Sequence, residues 1–215
     1  MINILVVDDH DLVRMGIVRI LSDIEGFDVV AEAESGEQAL ALARQHNPDV
    51  VLMDVKMPGI GGLEATKKLL RFNANLKIIA VTACDDSIHP GKLLQAGAQG
   101  YVTKGAGPEE MIDAINKVMD GNLYMSSEVA QKLALNGYNG EESSPFDRLS
   151  DRELQTALAI ANGRKAQEIA DIFNVSPKTI NSYRYRIFDK LKINSDVALT
   201  LLAVKHKILD PESVV

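Results

Sequence analysis

The chain has 215 residues, 46% hydrophobic and 25% charged, which is typical of a soluble protein with one or two domains. A single cysteine, Cys84, excludes an internal disulfide and indicates a reducing compartment. The sequence shows no basic signal region and no window near 18 apolar residues, so it predicts a cytoplasmic protein without a membrane partner.

The formal charge of −7 is unevenly distributed. Residues 1–121 carry −7, residues 122–148 carry −2 and residues 149–215 carry +2. The acidic first part would repel nucleic acid, whereas the mildly basic end can approach it. Taken alone, a charge of +2 is better explained as an ordinary solvated surface.

Residues 1–121 alternate between strand and helix patterns. The five strand candidates are Ile4–Val7, Phe27–Ala33, Val50–Met53, Ile78–Val81 and Gly100–Val102. The helix candidates between and after them are Asp11–Ser22, Gly36–Arg44, Gly62–Leu70, Gly91–Ala96 and Pro108–Met119. A five-fold βα alternation with short connections predicts an α/β, flavodoxin-like (βα)5 domain with a doubly wound parallel sheet.

The pattern changes after residue 121. Residues 122–148 are interpreted as a linker that contains a short helix capped by serine near Ser126, followed by a flexible composition at 136–145. Residues 149–215 show no strand pattern. Ser150 and Glu153 have the spacing of a capping box, and three further helices are predicted at Ala166–Phe173, Pro177–Leu191 and Ser195–His206. The second domain is therefore predicted to be small and all-helical.

Acidic residues follow two strands of the first domain. Asp8 and Asp9 come after the first strand and Asp54 ends the third, and in the strand order 2-1-3-4-5 these two strands are neighbours. Such a cluster needs a cation, and Mg²⁺ suits carboxylates combined with water and phosphate oxygens. Thr82 and Lys104 follow the fourth and fifth strands. This set fits phosphoryl transfer to Asp54 as the nucleophile.

Two other interpretations of these acids stay open. An aspartate after a strand can simply cap the next helix, and Asp11 is predicted to do so. A phosphohydrolase with Asp54 as covalent nucleophile is also conceivable. Haloacid-dehalogenase-type enzymes, however, place a second acid two residues after the nucleophile, where this chain has Lys56.

With these residues, positions 1–121 resemble the receiver domain of two-component response regulators. The resemblance implies that Asp54 is the phospho-acceptor and that Asp8 and Asp9 bind Mg²⁺ together with Asp54 and the backbone carbonyl of Lys56. It also implies a sensor histidine kinase or phosphotransfer protein as the phosphate donor.

The same resemblance implies a switch formed by Thr82 and Tyr101, in which the threonine moves toward the phosphate and the aromatic ring turns inward. A simple packing role for Tyr101 is compatible with this. The chain has Gly105 after Lys104, where many receivers have proline, so the turn there is expected to be looser.

The helical end contains a helix-turn-helix pattern. Its two helices are Ala166–Phe173 and Pro177–Leu191. Ser176 and Pro177 fit the N-cap and N1 positions of the second, and Ile180, Ile187 and Leu191 form its apolar stripe. Residues 149–206 resemble the LuxR-type helix-turn-helix, with motifs at 149–153, 167–170 and 176–180. The predicted DNA-binding residues are Lys178, Thr179, Asn181, Ser182, Arg184, Tyr185, Arg186 and Lys192.

A receiver joined to this module is typical of the NarL/FixJ class, and residues 53–65 and 181–188 are most similar to the GacA/UvrY type of global regulators. The class implies double-stranded DNA as a partner and a homodimer when phosphorylated. Leu199, Leu202 and Ala203 can form the dimer face or pack into the module's own core, and both readings stay open. An adaptor whose helices bind protein instead of DNA is the remaining alternative.

Overall fold

The structure, a computed structural model, describes residues 1–82, 90–127, 129–131, 145–206 and 208–209, without the side chains of Pro90, Gly91, Asp147 and Asp151. These residues form two compact units, one up to residue 131 and one from residue 145. The predicted domain boundaries at 121 and 149 stay a prediction. Across the described part of the chain, no helix is both long and apolar enough to cross a membrane.

The first unit is a doubly wound parallel sheet, as predicted. Its strands are β1 (Ile2–Val7), β2 (Phe27–Ala33), β3 (Val50–Asp54), β4 (Lys77–Thr82), β5 (Gly100–Thr103) and β6 (Tyr124–Met125). They pair in the order β2-β1-β3-β4-β5-β6, and every pairing is parallel. The helices are α1 (Asp11–Ser22), α2 (Gly36–His46), α3 (Gly61–Phe72), α4 (Pro90–Gln95) and α5 (Pro108–Met119).

The strands bury alternate residues on opposite faces of the sheet, because successive side chains of a strand point in opposite directions. Val51 and Met53 pack in one core with residues of α2, α3 and α4. Val50 and Leu52 pack in a second core with residues of α1 and α5. The central strand β3 is buried throughout, and this explains why its sequence is a continuous apolar run that ends in Asp54.

Two local features differ from the sequence analysis. The strand β6 was not predicted; Tyr124 and Met125 pair with Gly100 and Tyr101 within the segment interpreted as a linker. The prediction that Asp11 caps α1 is wrong, because the N-cap is the preceding residue. Asp11 instead lies in the first turn of α1, where a negative charge suits the helix dipole, and accepts a hydrogen bond from Arg14 at 2.7 Å.

After β6, Ser126 caps a helix as predicted. Its side chain accepts a hydrogen bond from the Val129 backbone N–H at 3.4 Å, and its carbonyl accepts one from Ala130 at 2.9 Å. The rest of that predicted helix and most of the predicted flexible segment, residues 132–144, lie outside the described residues.

The second unit is helical. A 3-10 turn at Pro145–Arg148 precedes α6 (Asp151–Ala161), α7 (Ala166–Phe173), α8 (Pro177–Leu191) and α9 (Asp196–Lys205). The capping box of Ser150 and Glu153 is present at the start of α6. Leu199 and Ala203 are buried in the unit's own core with Ile187 and Leu191, so the packing alternative holds for these two residues.

Candidate functional site

Two buried carboxylates lie side by side at the carboxyl edge of the sheet. Val7 is paired with Met53 in the β1–β3 ladder, so the next residues, Asp8 and Asp54, emerge from neighbouring strands at the same edge. Asp8 is 1% exposed and Asp54 is fully buried. Burial of two like charges is unfavourable unless positive charge compensates them.

Lys104 supplies that positive charge. Its Nζ lies 2.8 Å from Asp54 Oδ2 and 2.9 Å from Asp8 Oδ2. The lysine directly follows β5, and its backbone N–H donates to the Thr82 carbonyl at 2.6 Å, which fixes the strand end from which the side chain reaches inward. Residues from the ends of three different strands thus meet in one site.

The backbone around Asp54 is closely packed. The Lys56 N–H donates to Asp54 Oδ1 at 3.1 Å, which places the Lys56 backbone beside the carboxylate. Gly62 lies near the start of α3, and a Cβ built there would be 2.1 Å from the Asp54 carbonyl oxygen. Only glycine lets α3 approach the strand end this closely. Gly62 was not among the predicted site residues, although glycines at 59, 61 and 62 were a visible signal in the sequence.

Asp9 and His10 complete the acidic edge. The side chain of Asp9 is 24% exposed, and its Oδ1 lies 2.9 Å from His10 Nδ1. The His10 backbone N–H donates to Asp8 Oδ1 at 2.8 Å. One ligand atom from each of Asp8, Asp9, His10 and Asp54 can be chosen so that all four lie within 4.8 Å of one another. Three carboxylates in this arrangement are chemically suited to a hard divalent cation.

Burial dominates the electrostatics of Asp54. It raises the pKa of the Asp54 carboxyl to about 7, and the nearby charge of Asp8 acts in the same direction. The Lys104 ammonium and the Lys56 N–H oppose this rise because they favour the ionised carboxylate. For Lys104, burial acts to lower the pKa, but the hydrogen bonds and charges of Asp54 and Asp8 outweigh it and raise the pKa.

The two predicted switch residues lie on β4 and β5. Thr82 is the last residue of β4 and is 2% exposed, at the strand end next to Asp54. Tyr101 is also 2% exposed and packs in the core that contains α2, α3 and α4 residues. Its backbone carbonyl accepts a hydrogen bond from Ser126 at 3.0 Å, which ties β5 to the segment after β6.

A second candidate site is the outer face of α8. Ile180, Ile187 and Leu191 are buried, as the apolar stripe predicted. The residues on the exposed face, spaced three and four apart, are Lys178, Asn181, Ser182, Tyr185 and Arg186. Tyr185 is 75% exposed, so its ring is accessible to a partner. This face brings together five of the eight predicted DNA-binding residues.

Within this face, the Ser182 hydroxyl donates to the Lys178 carbonyl at 2.9 Å. The other three predicted residues lie off the face and also have partners within the unit. Thr179 is half-buried, with its hydroxyl 2.9 Å from the Ser176 hydroxyl. Arg184 donates to Asp196 of α9 at 2.6 Å. Lys192 is exposed just past the end of α8 and lies 3.3 Å from Asp189 Oδ1.

An ion pair that was not predicted links α8 to α6. Lys190 Nζ lies 2.5 Å from the carboxylate of Glu153, which is only 3% exposed. The same carboxylate accepts the backbone N–H of Ser150 at 2.8 Å. Glu153 therefore connects the start of α6 to the last turn of α8. Its capping spacing was visible in the sequence, but its distant partner was not.

Two family models match the chain. The response regulator receiver domain matches residues 4–116, and the luxR family of bacterial regulatory proteins matches residues 147–203. The chain is 59% identical to the response regulator GacA of Pseudomonas aeruginosa over 99% of this chain and 100% of that protein. It is 52% identical to the response regulator UvrY of Escherichia coli, over 99% and 98% of the two chains.

Solved structures of RcsB from Salmonella are also similar. One RcsB structure, described as showing conformational dynamism for DNA interaction, has a TM-score of 0.75 and 26% identity over 95% of this chain and 98% of that one. RcsB bound to the promoter rprA in the presence of phosphomimetic BeF3− has a TM-score of 0.70 and 27% identity, over 95% and 99%.

Proposed function

The chain belongs to the response regulators that join a receiver domain to a LuxR-type DNA-binding domain, of the GacA/UvrY type, and we propose that phosphorylation of Asp54 controls its binding to DNA. Its relatives are regulators of this kind, and the chain is accordingly a regulator and not the phosphohydrolase considered above. The observation that carries the proposal is the pair of buried carboxylates, Asp54 and Asp8, both in contact with Lys104 at the carboxyl edge of the sheet.

In the proposed reaction, a carboxylate oxygen of Asp54 attacks the phosphorus of a phosphohistidine on a sensor histidine kinase or phosphotransfer protein. An O–P bond forms, the P–N bond breaks, and the departing imidazole nitrogen takes up a proton from solvent. Lys104, already 2.8 Å from Asp54 Oδ2, is placed to pair with a phosphoryl oxygen. The buried floor of the site keeps this charge pair in a low dielectric, where it is strongest.

The oxygen atoms at this edge of the sheet fit Mg²⁺. The ion would be held by the carboxylates of Asp8, Asp9 and Asp54 and by the Lys56 carbonyl. It would neutralise charge on the transferring phosphoryl group. The Lys56 N–H bond to Asp54 supports this assignment, since it keeps that stretch of backbone beside the site. The role of the Lys56 carbonyl as a ligand stays a prediction.

The new phosphate would draw Thr82 and Lys104 toward it, because phosphorylation adds charge and hydrogen-bond acceptors. Thr82 lies at the end of β4 next to Asp54, and Tyr101 lies on the neighbouring strand β5. Movement of the threonine would change the packing around Tyr101 and bias the receiver toward a homodimer. We propose that this dimer binds double-stranded DNA through α8 and acts in the cytoplasm.

The acceptor assignment is tested with the variant Asp54→Asn, which keeps the shape of the side chain but removes the nucleophilic carboxylate. Incubation with acetyl phosphate and Mg²⁺ should label the wild type and leave Asp54→Asn unlabelled on a phosphate-affinity gel. Asp28→Asn is the matched control, since Asp28 is an exposed aspartate on β2, and it should be labelled like the wild type. Full labelling of Asp54→Asn would overturn the assignment.

The DNA-binding role is tested on the exposed face of α8. Lys178 lies near the helix N-terminus, where base edges are read, whereas Arg186 lies further along and is expected to contact phosphate. Lys178→Ala should relax base preference by about 1–3 kcal/mol. Arg186→Ala should weaken binding to all DNA sequences alike and reduce the salt slope, the slope of log affinity against log salt concentration, by about one. Lys178→Ala losing as much affinity for unrelated as for specific DNA, or Arg186→Ala losing more affinity for specific DNA, would contradict these roles.

A further inference from the structure

His10 is the N-cap residue of α1, but its side chain makes no capping hydrogen bond. Helices usually begin with Ser, Thr, Asp or Asn at this position, because their side-chain oxygen accepts a helix N–H. The His10 ring instead faces the acidic edge of the sheet. Its Nδ1 lies 2.9 Å from Asp9 Oδ1 and 3.4 Å from Asp8 Oδ1.

The short contact between His10 and Asp9 does not have the geometry of a hydrogen bond. Asp9 Oδ1 is buried and accepts no hydrogen bond from any described residue, although His10 Nδ1 is 2.9 Å away. A separation of about 3 Å is expected for two adjacent ligand atoms around an octahedral cation with bonds of about 2.1 Å. The two atoms are therefore placed as two ligands of one ion would be.

We propose that His10 is a nitrogen ligand in this pocket and raises its affinity for divalent transition ions such as Co²⁺, Ni²⁺ and Zn²⁺. Carboxylates and carbonyls suit Mg²⁺, whereas imidazole nitrogen favours these softer ions. The four groups that would share the ion are Asp8, Asp9, His10 and Asp54, whose ligand atoms lie within 4.8 Å of one another. The inference rests on the metal site of the proposed function and concerns which ions that site selects.

The consequence is competition at the phosphorylation site. An ion held by imidazole as well as carboxylates leaves more slowly and retains fewer exchangeable positions for phosphate oxygens than Mg²⁺, which keeps several waters. The availability of transition ions would then set how much of the protein is loaded with Mg²⁺. His10 is mostly exposed, with 65% of its side chain accessible, so the ring can turn toward an entering ion without repacking the core.

The test is a titration of the full-length, unphosphorylated protein with Co²⁺, followed by its visible absorption, and then displacement of Co²⁺ by Mg²⁺. In His10→Gln the Kd for Co²⁺ should rise about tenfold or more, while the Kd for Mg²⁺ stays within about twofold of the wild type. The Co²⁺ absorption bands should also shift, because oxygen or water replaces nitrogen. His46→Gln, a histidine at the end of α2, is the matched control and should behave like the wild type.

The variant Asp54→Asn in the same titration distinguishes a failure of the His10 role from a failure of the metal site proposed at Asp54. Weaker binding of both ions in Asp54→Asn, with selective weakening of Co²⁺ in His10→Gln, supports the inference. An unchanged Co²⁺ affinity and spectrum in His10→Gln overturns it and leaves the metal site of Asp54 in place. Unchanged binding of both ions in Asp54→Asn would overturn the metal site itself, and the role of His10 with it.

Discussion

The backbone of Gly62 lies so close to Asp54 that a Cβ at position 62 would be 2.1 Å from the Asp54 carbonyl oxygen. The Gly62 N–H also donates to the Val55 carbonyl at 3.2 Å. The start of α3 therefore packs directly against the backbone that carries the proposed phospho-acceptor. Because neither the strand end nor the helix can move without disturbing the site, the position excludes every side chain.

Gly62→Ala should destabilise the receiver by about 1–3 kcal/mol, the usual cost of overpacking, and should also slow acetyl-phosphate labelling because Asp54 is displaced. Gly16 is the matched control, since it lies in the middle of α1 and a Cβ there has nothing within 4 Å. Gly16→Ala should stabilise by roughly 0.5–1 kcal/mol through helix propensity. Urea unfolding measures both changes. Equal stabilisation by the two substitutions would show that α3 has room for a side chain.

The raised pKa of Asp54 predicts a pH-dependent stability in the absence of metal. Burial, opposed by Lys104, raises this pKa from 3.8 to about 7, so between these values the folded protein holds a proton that the unfolded chain has released. The contribution of Asp54 is thus fully present below about pH 3.8, falls by up to about 1.4 kcal/mol per pH unit between that value and about 7, and does not change further above it.

Asp54→Asn removes this titration. With EDTA present, the free energy of unfolding of Asp54→Asn relative to the wild type should therefore increase between pH 5 and pH 7.5. Asp28→Asn, on the exposed part of β2, should show a constant difference across this range. Urea unfolding at the two pH values measures it, and a pH-independent difference for Asp54→Asn would show that Asp54 is already ionised at pH 5.

The sequence was sufficient to predict the sheet and its acidic edge, because both depend on local patterns. Buried parallel strands read as continuous apolar runs, and the acids that follow them must meet where neighbouring strands end. For the same reason the apolar and polar faces of α8 were predicted correctly.

Features that depend on contacts between distant residues were not visible in the sequence. Strand β6 has two residues, too few for a periodic pattern, and exists because Tyr124 and Met125 pair with β5. The orientation of the His10 ring and the salt bridge between Arg184 and Asp196 require coordinates. Arg184 is a cation on the helix predicted to bind DNA, yet in the structure its guanidinium pairs with Asp196 on α9.

Glu153 should stabilise the helical unit through its contacts with the Ser150 N–H and with Lys190. Its pKa is lowered overall: burial acts to raise it, but the hydrogen bonds from Lys190 and Ser150 outweigh burial. A depressed folded-state pKa means that the stabilisation is present above the ordinary value of 4.5 and is lost as the pH falls through the folded value. The unit should therefore lose helix stability in acid.

Glu153→Gln should cost about 1–3 kcal/mol at pH 7, because Lys190 loses its anionic partner and the Ser150 N–H donates to a neutral instead of a charged oxygen. The matched control is Glu168→Gln, since Glu168 makes the corresponding capping contact with the Lys165 N–H at 3.1 Å but is exposed. Its cost should be smaller, about 0.5–1 kcal/mol. Thermal unfolding followed by circular dichroism at pH 7 and at about pH 3, well below the ordinary value of 4.5, measures both. A Glu153→Gln penalty that is the same at the two pH values would rule out the ion pair as its cause.

Arg184 and Asp196 form an ion pair at 2.6 Å between α8 and α9, and the guanidinium also lies over the Phe188 ring at 5.4 Å from its centre. Both side chains are partly exposed, at 40% and 43%. A partly exposed pair contributes little to stability, but it occupies the arginine, so a DNA phosphate has to compete with Asp196 for the same guanidinium. We therefore expect the pair to weaken the contact of Arg184 with DNA.

Asp196→Asn should release Arg184 to contact phosphate, which would strengthen binding to DNA of any sequence at low salt and increase the salt slope by about 0.9. The double variant Arg184→Gln/Asp196→Asn should return to the wild-type slope. Asp171→Asn is the control, because Asp171 is an exposed aspartate of α7 whose carboxylate accepts a hydrogen bond from Gln167 at 2.9 Å, so the same charge is removed without freeing a predicted DNA-binding cation. Gel shifts over a range of salt concentrations measure these slopes. If Arg184→Gln alone already reduced the slope of the wild type, Arg184 would bind phosphate despite Asp196, and the restraint proposed for this ion pair would be wrong.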